Sequence, residues 1–253
     1  MITVCIATYN GERFVGEQIA SILPQLTADD EIVLSDDGST DKTLDIVRSF
    51  ADRRIRIIDG PHRHSPTLNF ERALREAKGD YIFLADQDDV WLPNKVEVCL
   101  NALQHCACVI SDARVTDSQL RVTASSLYAI LHINRSRLSN LLWRNGYTGC
   151  CMAFRSEVLR TALPFPSDIP MHDIWLGNVA AFCHSLRFID EPLVLFRRHA
   201  TTASCNGKGS HFSLWQKLGF RWHTLKNIIV RKQSTKTYHS HDAEHHHSDI
   251  QRG

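Results

Sequence analysis

Three carboxylates stand close together directly after an apolar run. Residues 81–85 read Tyr-Ile-Phe-Leu-Ala, and Asp86, Asp88 and Asp89 follow within four positions. Such a run predicts a buried strand, and strands of open α/β sheets bring their C-terminal ends to the ligand-binding edge. Carboxylates this close repel each other unless a proton or a cation lies between them. The stretch predicts either a divalent-metal site for a phosphorylated ligand or an acidic turn opening the helix near Pro93.

Two further polar clusters follow apolar runs earlier in the chain. The first cluster, residues 8–12, follows the run at residues 2–7, and the second, residues 36–41, follows the run at residues 31–35. Because the carboxyl ends of parallel strands meet at one edge of a sheet, we expect all three polar clusters to line that edge.

Strand and helix patterns alternate through the first hundred residues. They predict strands at residues 2–7, 31–35, 55–58 and 81–85, and helices at residues 12–26, 40–51, 69–77 and 93–105. Ser39 or Thr40 is the expected cap of the second helix. Short connections between such elements predict an α/β fold with a mostly parallel sheet flanked by helices.

The second half of the chain is less regular. We interpret residues 118–133 as a loop. The remaining patterns predict strands at residues 108–111, 150–154, 186–189 and 193–196, and helices at residues 138–143 and 172–184.

The composition suits one large domain or two small ones. The chain has 253 residues, 43% of them hydrophobic, and a formal net charge of +1, which argues against a nucleic-acid-binding or disordered protein. Most of the eight cysteines lie in apolar runs without a Cys-x-x-Cys pair, so we interpret them as reduced structural thiols, with a zinc or disulfide role as the minor alternative. No apolar run reaches the length of a membrane span. We expect a cytoplasmic protein unless it adheres to a membrane surface.

The C-terminal part has a different pattern. Residues 208–236 contain seven basic residues and no acidic one. A basic helix with tryptophan on its apolar face is typical of a membrane-surface anchor, and the alternative is a terminal helix packed on its own domain. We expect a basic amphipathic helical extension at residues 205–232 and a disordered tail at residues 233–253. The apolar face would carry Leu214, Leu218, Trp222, Leu225 and Ile229.

A phosphorylated ligand needs positive charge, and the chain lacks two common sources of it. Neither a Gly-x-Gly-x-x-Gly fingerprint nor a Walker motif occurs, so neither a Rossmann dehydrogenase nor a P-loop enzyme is supported. The remaining scheme has carboxylates hold a cation that holds a diphosphate and stabilises its departure. In that scheme Asp36 or Asp37 accepts hydrogen bonds from a ribose or a base.

In their order, the motifs resemble those of family 2 glycosyltransferases, which have the GT-A fold. The motifs are Thr-Tyr-Asn at residues 8–10, Asp-Asp-Gly-Ser-Thr-Asp at residues 36–41, and Asp-Gln-Asp-Asp at residues 86–89 followed by Trp91 and Lys95. The resemblance implies a GT-A domain at residues 1–204, with a nucleotide-binding half at residues 1–112 and an acceptor-binding half at residues 113–204.

The same resemblance implies a binding site for a nucleotide sugar and a divalent cation, Mg²⁺ or Mn²⁺. Asp88 would contact the metal directly, with Asp86 as its partner in the Asp-x-Asp motif. The residues implied for the nucleotide sugar are Thr8, Tyr9, Glu12, Asp36, Asp37, Asp86, Asp89 and Arg197.

Two motifs in the second half extend the resemblance to the acceptor side. Residues 172–175, His-Asp-Ile-Trp, stand where the family has Glu-Asp-x-Trp. Asp173 would then be the general base that takes a proton from an acceptor hydroxyl. Residues 196–199, Phe-Arg-Arg-His, resemble the family's Tyr-Arg-x-His segment, which implies His199 as a metal or diphosphate ligand and Arg197 as a balance to phosphate charge.

The resemblance implies an inverting transfer of a hexose or deoxyhexose from a UDP-, dTDP- or GDP-linked donor. The acceptor would be a saccharide or a lipid-linked saccharide in the synthesis of O-antigen, capsule or related cell-surface polysaccharides, and the motifs are most similar to the rhamnosyltransferase-type bacterial branch. One alternative is a non-catalytic, membrane-associated assembly partner that keeps the fold. Another is a sugar nucleotidyltransferase, which would typically carry a Gly-rich loop with Arg and Lys at residues 8–12.

Overall fold

The sheet is built from the predicted apolar runs and several shorter strands. The computed structural model describes residues 1–143, 145–198, 215–216 and 218–233 of the chain. Within these ranges the strands are β1 (Ile2–Thr8), β2 (Glu31–Asp36), β3 (Ile55–Asp59), β4 (Tyr81–Asp86), β5 (Val90–Trp91), β6 (Cys108–Thr116), β7 (Val122–Ala124), β8 (Met152–Arg155) and β9 (Leu186–Arg197). They form one sheet in the order β3-β2-β1-β4-β8-β6-β9-β5, with β7 beside β6.

The first four long strands are parallel, as the alternating pattern predicts. β1 lies between β2 and β4, with Val4 opposite both Ile32 and Phe83. All three side chains are fully buried, which matches the continuous apolar runs of a sheet covered on both faces.

The second half of the sheet is mixed, but the long β6–β9 pairing is parallel, so the sheet as a whole is mostly parallel, as predicted. β8 runs antiparallel to β4 and to β6, while β9 runs parallel to β6. Residues 186–197 form one strand rather than the two that the sequence predicts. The register between β6 and β9 shifts near Pro192, because proline has no N–H to donate to the ladder.

Helices cover both faces of the sheet. The predicted helices differ mainly in length, whereas a helix at residues 156–162 was not predicted. They are α1 (Val15–Ile22), α2 (Thr43–Ser49), α3 (Pro66–Glu76), α4 (Lys95–Leu103), α5 (Leu127–Leu131), α6 (Arg137–Leu142), α7 (Ser156–Ala162) and α8 (His172–Cys183), with short 3₁₀ turns at Leu23–Gln25 and Gly149–Cys151. The predicted loop at residues 118–133 contains β7 and α5.

The predicted cap of α2 is wrong. The helix begins after Lys42, and neither Ser39 nor Thr40 caps it. The Ser39 hydroxyl donates instead to Asp36 at 2.6 Å, so it serves the turn at the end of β2. α3 begins three residues before the predicted start at residue 69, with a Ser65 side-chain cap and Pro66 in its first turn.

The C-terminal helix, residues 218–233, packs on the domain through one face. We call it the tail helix. Ile228 and Thr224 are buried, and Ile228 belongs to the hydrophobic core, as the packed-helix alternative requires. Leu218, Trp222 and Ile229 are exposed by 46%, 65% and 50%. The helix therefore also carries an uncovered apolar face.

The remainder of the predicted extension at residues 205–232 and almost all of the predicted tail at residues 233–253 lie outside the described residues. Among the described residues, no helix combines the length and the apolar character needed to cross a membrane.

Candidate active site

The three polar clusters meet at one edge of the sheet, as the sequence predicts. Thr8, the last residue of β1, lies opposite Asp36 at the end of β2, and Ala7 lies opposite Asp86 at the end of β4. The turns that follow these strands therefore begin within one or two residues of the same level in the sheet.

Side chains and backbone N–H groups join the first two turns. The Asn10 N–H donates to the Ser39 hydroxyl at 2.8 Å, and the Asn10 side-chain oxygen accepts from the Thr40 N–H at 2.9 Å. Glu12 accepts from the Lys42 N–H at 3.0 Å. The Glu12 carboxylate, predicted to bind nucleotide, thus also satisfies the N–H before α2.

The Asp36 and Asp37 carboxylates accept hydrogen bonds from groups of the protein. Asp36 accepts two backbone N–H bonds and two hydroxyl bonds, and Asp37 accepts two backbone N–H bonds; both carboxylates are buried. Asp36 therefore fixes the turn after β2, while Asp37 fixes the loop before α3. The donors are Gly38, Ser39 and Thr8 for Asp36, and Arg63 and Ser65 for Asp37.

Tyr9 is held by a residue that the sequence analysis assigned no role. The Gln87 side chain accepts from the Tyr9 N–H at 2.9 Å and donates to the Tyr9 carbonyl at 3.1 Å. The half-exposed Tyr9 ring lies 4.5 Å from the His64 ring, centroid to centroid. This pair presents an aromatic surface of the kind on which nucleobases stack.

The acidic cluster forms after β4. One carboxylate oxygen each from Asp86 and Asp89 and the Cys150 sulfur all lie within 4.8 Å of one another. One Asp89 oxygen accepts the Arg197 N–H at 2.9 Å, and the other oxygen is buried without a hydrogen-bond partner among the described residues. An orphaned carboxylate oxygen beside a second carboxylate suits a hard cation. Cys150 lies in an apolar run, so its local pattern does not predict a place in this cluster.

Electrostatics in the cluster favour protons or a cation. Burial, with the Asp88 and Asp173 charges, raises the pKa of Asp86 to about 7. Burial, with the Asp88 and Asp86 charges, also holds the pKa of Asp89 well above its ordinary value. Asp88 thus lies close enough to both carboxylates to influence their ionisation. The predicted pair Asp86 and Asp88 is accompanied by Asp89 on the buried side.

Lys95 supplies positive charge beneath the acidic cluster. It is the first residue of α4 and has no exposed surface. Its ammonium donates to the Cys150 carbonyl at 2.6 Å and lies 4.7 Å from the Trp91 ring centroid. Its charge opposes the rise in the pKa of Asp86. Lys95 therefore ties α4 to the 3₁₀ turn that carries Cys150.

Asp173 lies in the first turn of α8 and is electrostatically linked to Asp86. Burial raises the pKa of Asp173 to about 6, and hydrogen bonds from the Ile174 and Gly149 N–H groups oppose that rise. The indole N–H of Trp175 donates to the Ala162 carbonyl at 3.0 Å and fixes α8 against α7. A carboxylate with this pKa is largely ionised near neutral pH and remains basic enough to accept a proton.

His172 is a buried neutral side chain beside Asp173. Its ring stacks on Phe70 at 4.0 Å between centroids, and within the described part of the chain neither ring nitrogen has a hydrogen-bond partner. Burial lowers the pKa of His172 to about 3. A Cβ added to Gly149 would meet the His172 Nε2 atom at 2.8 Å, so glycine is required for this close approach.

Arg197 reaches the acidic cluster through its backbone. Its side chain is 2% exposed, and the guanidinium group pairs with Glu17, donates to the Ser118 carbonyl at 2.9 Å and lies 4.5 Å from the Phe14 ring centroid. The guanidinium group, which was predicted to balance phosphate charge, is therefore already bound by groups of the protein. His199, the other residue predicted in this segment, lies outside the described residues.

The comparisons identify the family. Residues 3–163 match the profile "Glycosyl transferase family 2", and the chain belongs to that family. It is a glycosyltransferase. "dTDP-rhamnosyl transferase RfbG" of Shigella flexneri is 28% identical over 251 residues, which cover 91% of this chain and 82% of that protein.

Solved structures support the GT-A fold. The chain aligns with S. aureus TarS in complex with UDP-GlcNAc at a TM-score of 0.67 and 17% identity, covering 91% of this chain and 66% of that one. It aligns with mannosyltransferase PcManGT of Pyrobaculum calidifontis, in complex with GDP-Man and Mn²⁺, at a TM-score of 0.60 and 22% identity, covering 80% and 58%. Family membership favours the glycosyltransferase over the nucleotidyltransferase alternative.

Proposed function

We propose that the chain is an inverting, metal-assisted glycosyltransferase that moves a hexose or deoxyhexose from a nucleotide-diphosphate sugar to a saccharide or lipid-linked saccharide. The observation that carries the proposal is the meeting of Asp86 and Asp89, with its orphaned oxygen, beside Asp173 at the sheet edge. A non-catalytic assembly partner would not need a carboxyl group with a raised pKa beside a buried acidic pair.

The donor side would be formed by the three joined turns. Tyr9 would stack on the base, and Asp37 would face the base or ribose. Thr8, Glu12 and Asp36 would shape the turns, since their polar atoms already bond within them. Asp86 would contact the ribose as well as the metal. Arg197 is proposed to act by holding Asp89 through its N–H.

The acidic cluster fits a divalent cation, Mg²⁺ or Mn²⁺. Asp88 and Asp86 would hold it, with Asp89 offering its unpartnered oxygen from the buried side and His199 as a further predicted ligand. Carboxylate oxygens are the ligands that these hard ions prefer. When bound, such an ion neutralises the charge on the leaving diphosphate.

Asp173 would handle the proton. As the acceptor hydroxyl oxygen forms its bond to the anomeric carbon, its proton passes to the Asp173 carboxylate, and the bond from the anomeric carbon to the diphosphate oxygen breaks. One displacement of this kind inverts the anomeric configuration. The raised pKa of Asp173 makes it a better base than an ordinary aspartate, provided that the pH exceeds about 6.

The biological setting that fits is the synthesis of O-antigen, capsule or a related cell-surface polysaccharide. The similarity to a protein named as a dTDP-rhamnosyl transferase makes dTDP-rhamnose the first donor to test. We place the enzyme in the cytoplasm, peripheral to an anionic membrane surface through residues 211–232, where a lipid-linked acceptor would be available.

Titration calorimetry with UDP, dTDP and GDP, each with and without Mn²⁺, tests the site. We expect metal-dependent binding of at least one nucleotide, lost in Asp88→Asn. Asp29→Asn, which removes an exposed carboxyl just before β2, is the matched control. Absence of binding to all three nucleotides would refute the assignment.

Transfer itself is tested with a panel of nucleotide sugars and the anomeric configuration of the product. NMR of the product should show the configuration opposite to that of the donor. Retention of the donor configuration would refute single displacement while leaving nucleotide binding intact.

A further inference from the structure

Exposed aromatic and aliphatic side chains concentrate on two segments outside the active site. Among the chain's five tryptophans, Trp91 and Trp175 are buried, whereas the other three are exposed by 65% or more. We call six of the exposed side chains on these segments the aromatic surface. They are Leu138, Leu142 and Trp143 in and just after α6, and Trp215, Leu218 and Trp222 in and just before the tail helix.

A hydrogen bond connects the two segments. The guanidinium of Arg221, in the tail helix, donates to the Trp143 carbonyl at 2.7 Å. Thr224 and Ile228 face the domain, whereas Leu218 and Trp222, four residues apart, share another face of the same helix. The burial of Ile228 fixes the rotation of the helix, so its exposed apolar face has a defined direction beside α6.

The charges of the two segments, counted in the sequence, favour an anionic occupant. Residues 134–147 contain three arginines and no acidic residue, and residues 208–236 contain seven basic residues and no acidic one. Tryptophans flanked by Lys and Arg match the interface of an anionic bilayer, where indole rings lie at headgroup level and cationic side chains reach the phosphates. Acidic partners of these segments are Asp190, which pairs with Arg135, and Asp168, which lies 3.3 Å from His223.

We propose that the aromatic surface rests on an anionic lipid bilayer, and that α6 is a second membrane-contacting element beside the tail helix. Two elements at a fixed angle would orient the enzyme on the membrane, whereas one helix alone would permit rotation about its own axis. The benefit of this orientation for catalysis rests on the proposed function, because a lipid-linked acceptor would lie in the same bilayer.

The bound face would lie next to the acceptor side of the site. Arg231 of the tail helix donates to the carbonyls of Leu163 and Pro164, at 3.1 and 2.7 Å. These residues belong to the connection between α7 and α8, and α8 carries Asp173 in its first turn. The tail helix, which would rest on the bilayer, is thus connected to Asp173 through the short segment between α7 and α8.

Co-sedimentation of the full chain with vesicles tests the proposal. Vesicles of phosphatidylcholine with phosphatidylglycerol are compared with phosphatidylcholine alone. We expect binding to the anionic vesicles, and a decrease of about tenfold in partitioning for Trp143→Ser and for Trp222→Ser, since each removes an inserted aromatic side chain. Val122→Ser removes an exposed apolar side chain from β7 and should change nothing.

The α6 substitution decides the new part of the proposal. If Trp222→Ser weakens binding and Trp143→Ser does not, only the tail contacts lipid and α6 is excluded. Absence of vesicle binding by the unmodified chain, or a chain that light scattering shows as a dimer dissociated by Trp143→Ser, would overturn the membrane assignment. Nucleotide binding, measured on the same variants, should stay unchanged, so that failure of this proposal is separate from failure of the enzymatic one.

Discussion

Replacing Asp86 by asparagine should stabilise the metal-free protein at alkaline pH. The pKa of Asp86 is raised from 3.8 to about 7, so ionisation is less favourable in the folded state than in the unfolded chain. The folded state therefore loses stability as the pH rises from about 4 to about 7. A difference of roughly three pKa units corresponds to about 4 kcal/mol. Burial is the largest cause of this shift, followed by the Asp88 and Asp173 charges. Because interacting groups do not contribute additively, we expect about 2 kcal/mol for replacing Asp86 alone at pH 8.

Urea unfolding in the presence of EDTA measures this difference. Asp86→Asn should be more stable than the unmodified chain at pH 8, and the advantage should shrink towards pH 4.5, where the unfolded carboxyl begins to protonate. Mn²⁺ should reverse the order, since an ion at a hundredfold its dissociation constant adds about 2.7 kcal/mol to the protein that binds it.

Equal stability of Asp86→Asn and the unmodified chain at pH 8 in EDTA would refute the reasoning that burial and like charges strain this cluster. A gain that persists unchanged at pH 4.5 would refute it as well, since the amide would then act through packing. Asp29→Asn, with an exposed carboxyl at the opposite end of β2, serves as the control and should follow the unmodified chain.

Three further substitutions test the rest of the site. Asp173→Asn should keep nucleotide binding and lower the transfer rate at least about a hundredfold; in the unmodified chain kcat/KM should rise with pH through about 6, and a flat profile would contradict a base of that pKa. Gly149→Ala should lower the transfer rate, because the added Cβ would meet His172 Nε2 at 2.8 Å and the Asp173 Cβ at 3.4 Å and would displace them; full activity with an unchanged far-UV spectrum would contradict this. Lys95→Met should lower the free energy of unfolding by about 1–3 kcal/mol, because the Cys150 carbonyl loses its donor, and urea unfolding showing no loss would contradict that role.

The pattern along β1, β2 and β4 was sufficient to predict the sheet edge. Each run is apolar up to a polar turn, and parallel strands of similar length end together. Thr8, Asp36 and Asp86 consequently meet as expected. Asp173 was predictable only through the resemblance, since an aspartate in the first turn of a helix is common for structural reasons.

Long-range contacts account for what the sequence analysis missed. Gln87 clamps Tyr9 across 78 positions of sequence, and Cys150 joins Asp86 and Asp89 from a turn in the second half of the chain. Arg197 carries the charge expected of a phosphate ligand, yet Glu17, Ser118 and Phe14 occupy its guanidinium. The local sequence pattern cannot reveal whether a cationic side chain contacts a ligand phosphate or another group of the protein.

The tail helix shows the same division between sequence and structure. Its basic charge and its 3.6-residue apolar period are properties of the sequence, and they predict an amphipathic helix. The rotation of the helix depends on which of its side chains pack against the domain, and in the structure these include Thr224 and Ile228. By itself, the sequence determined the parallel half-sheet, the three polar turns and the family, because these depend on local periodicity and motif order. Only the tertiary structure decided which carboxylates share a cluster, which cation is already paired and which apolar face stays exposed, because each depends on packing between distant segments.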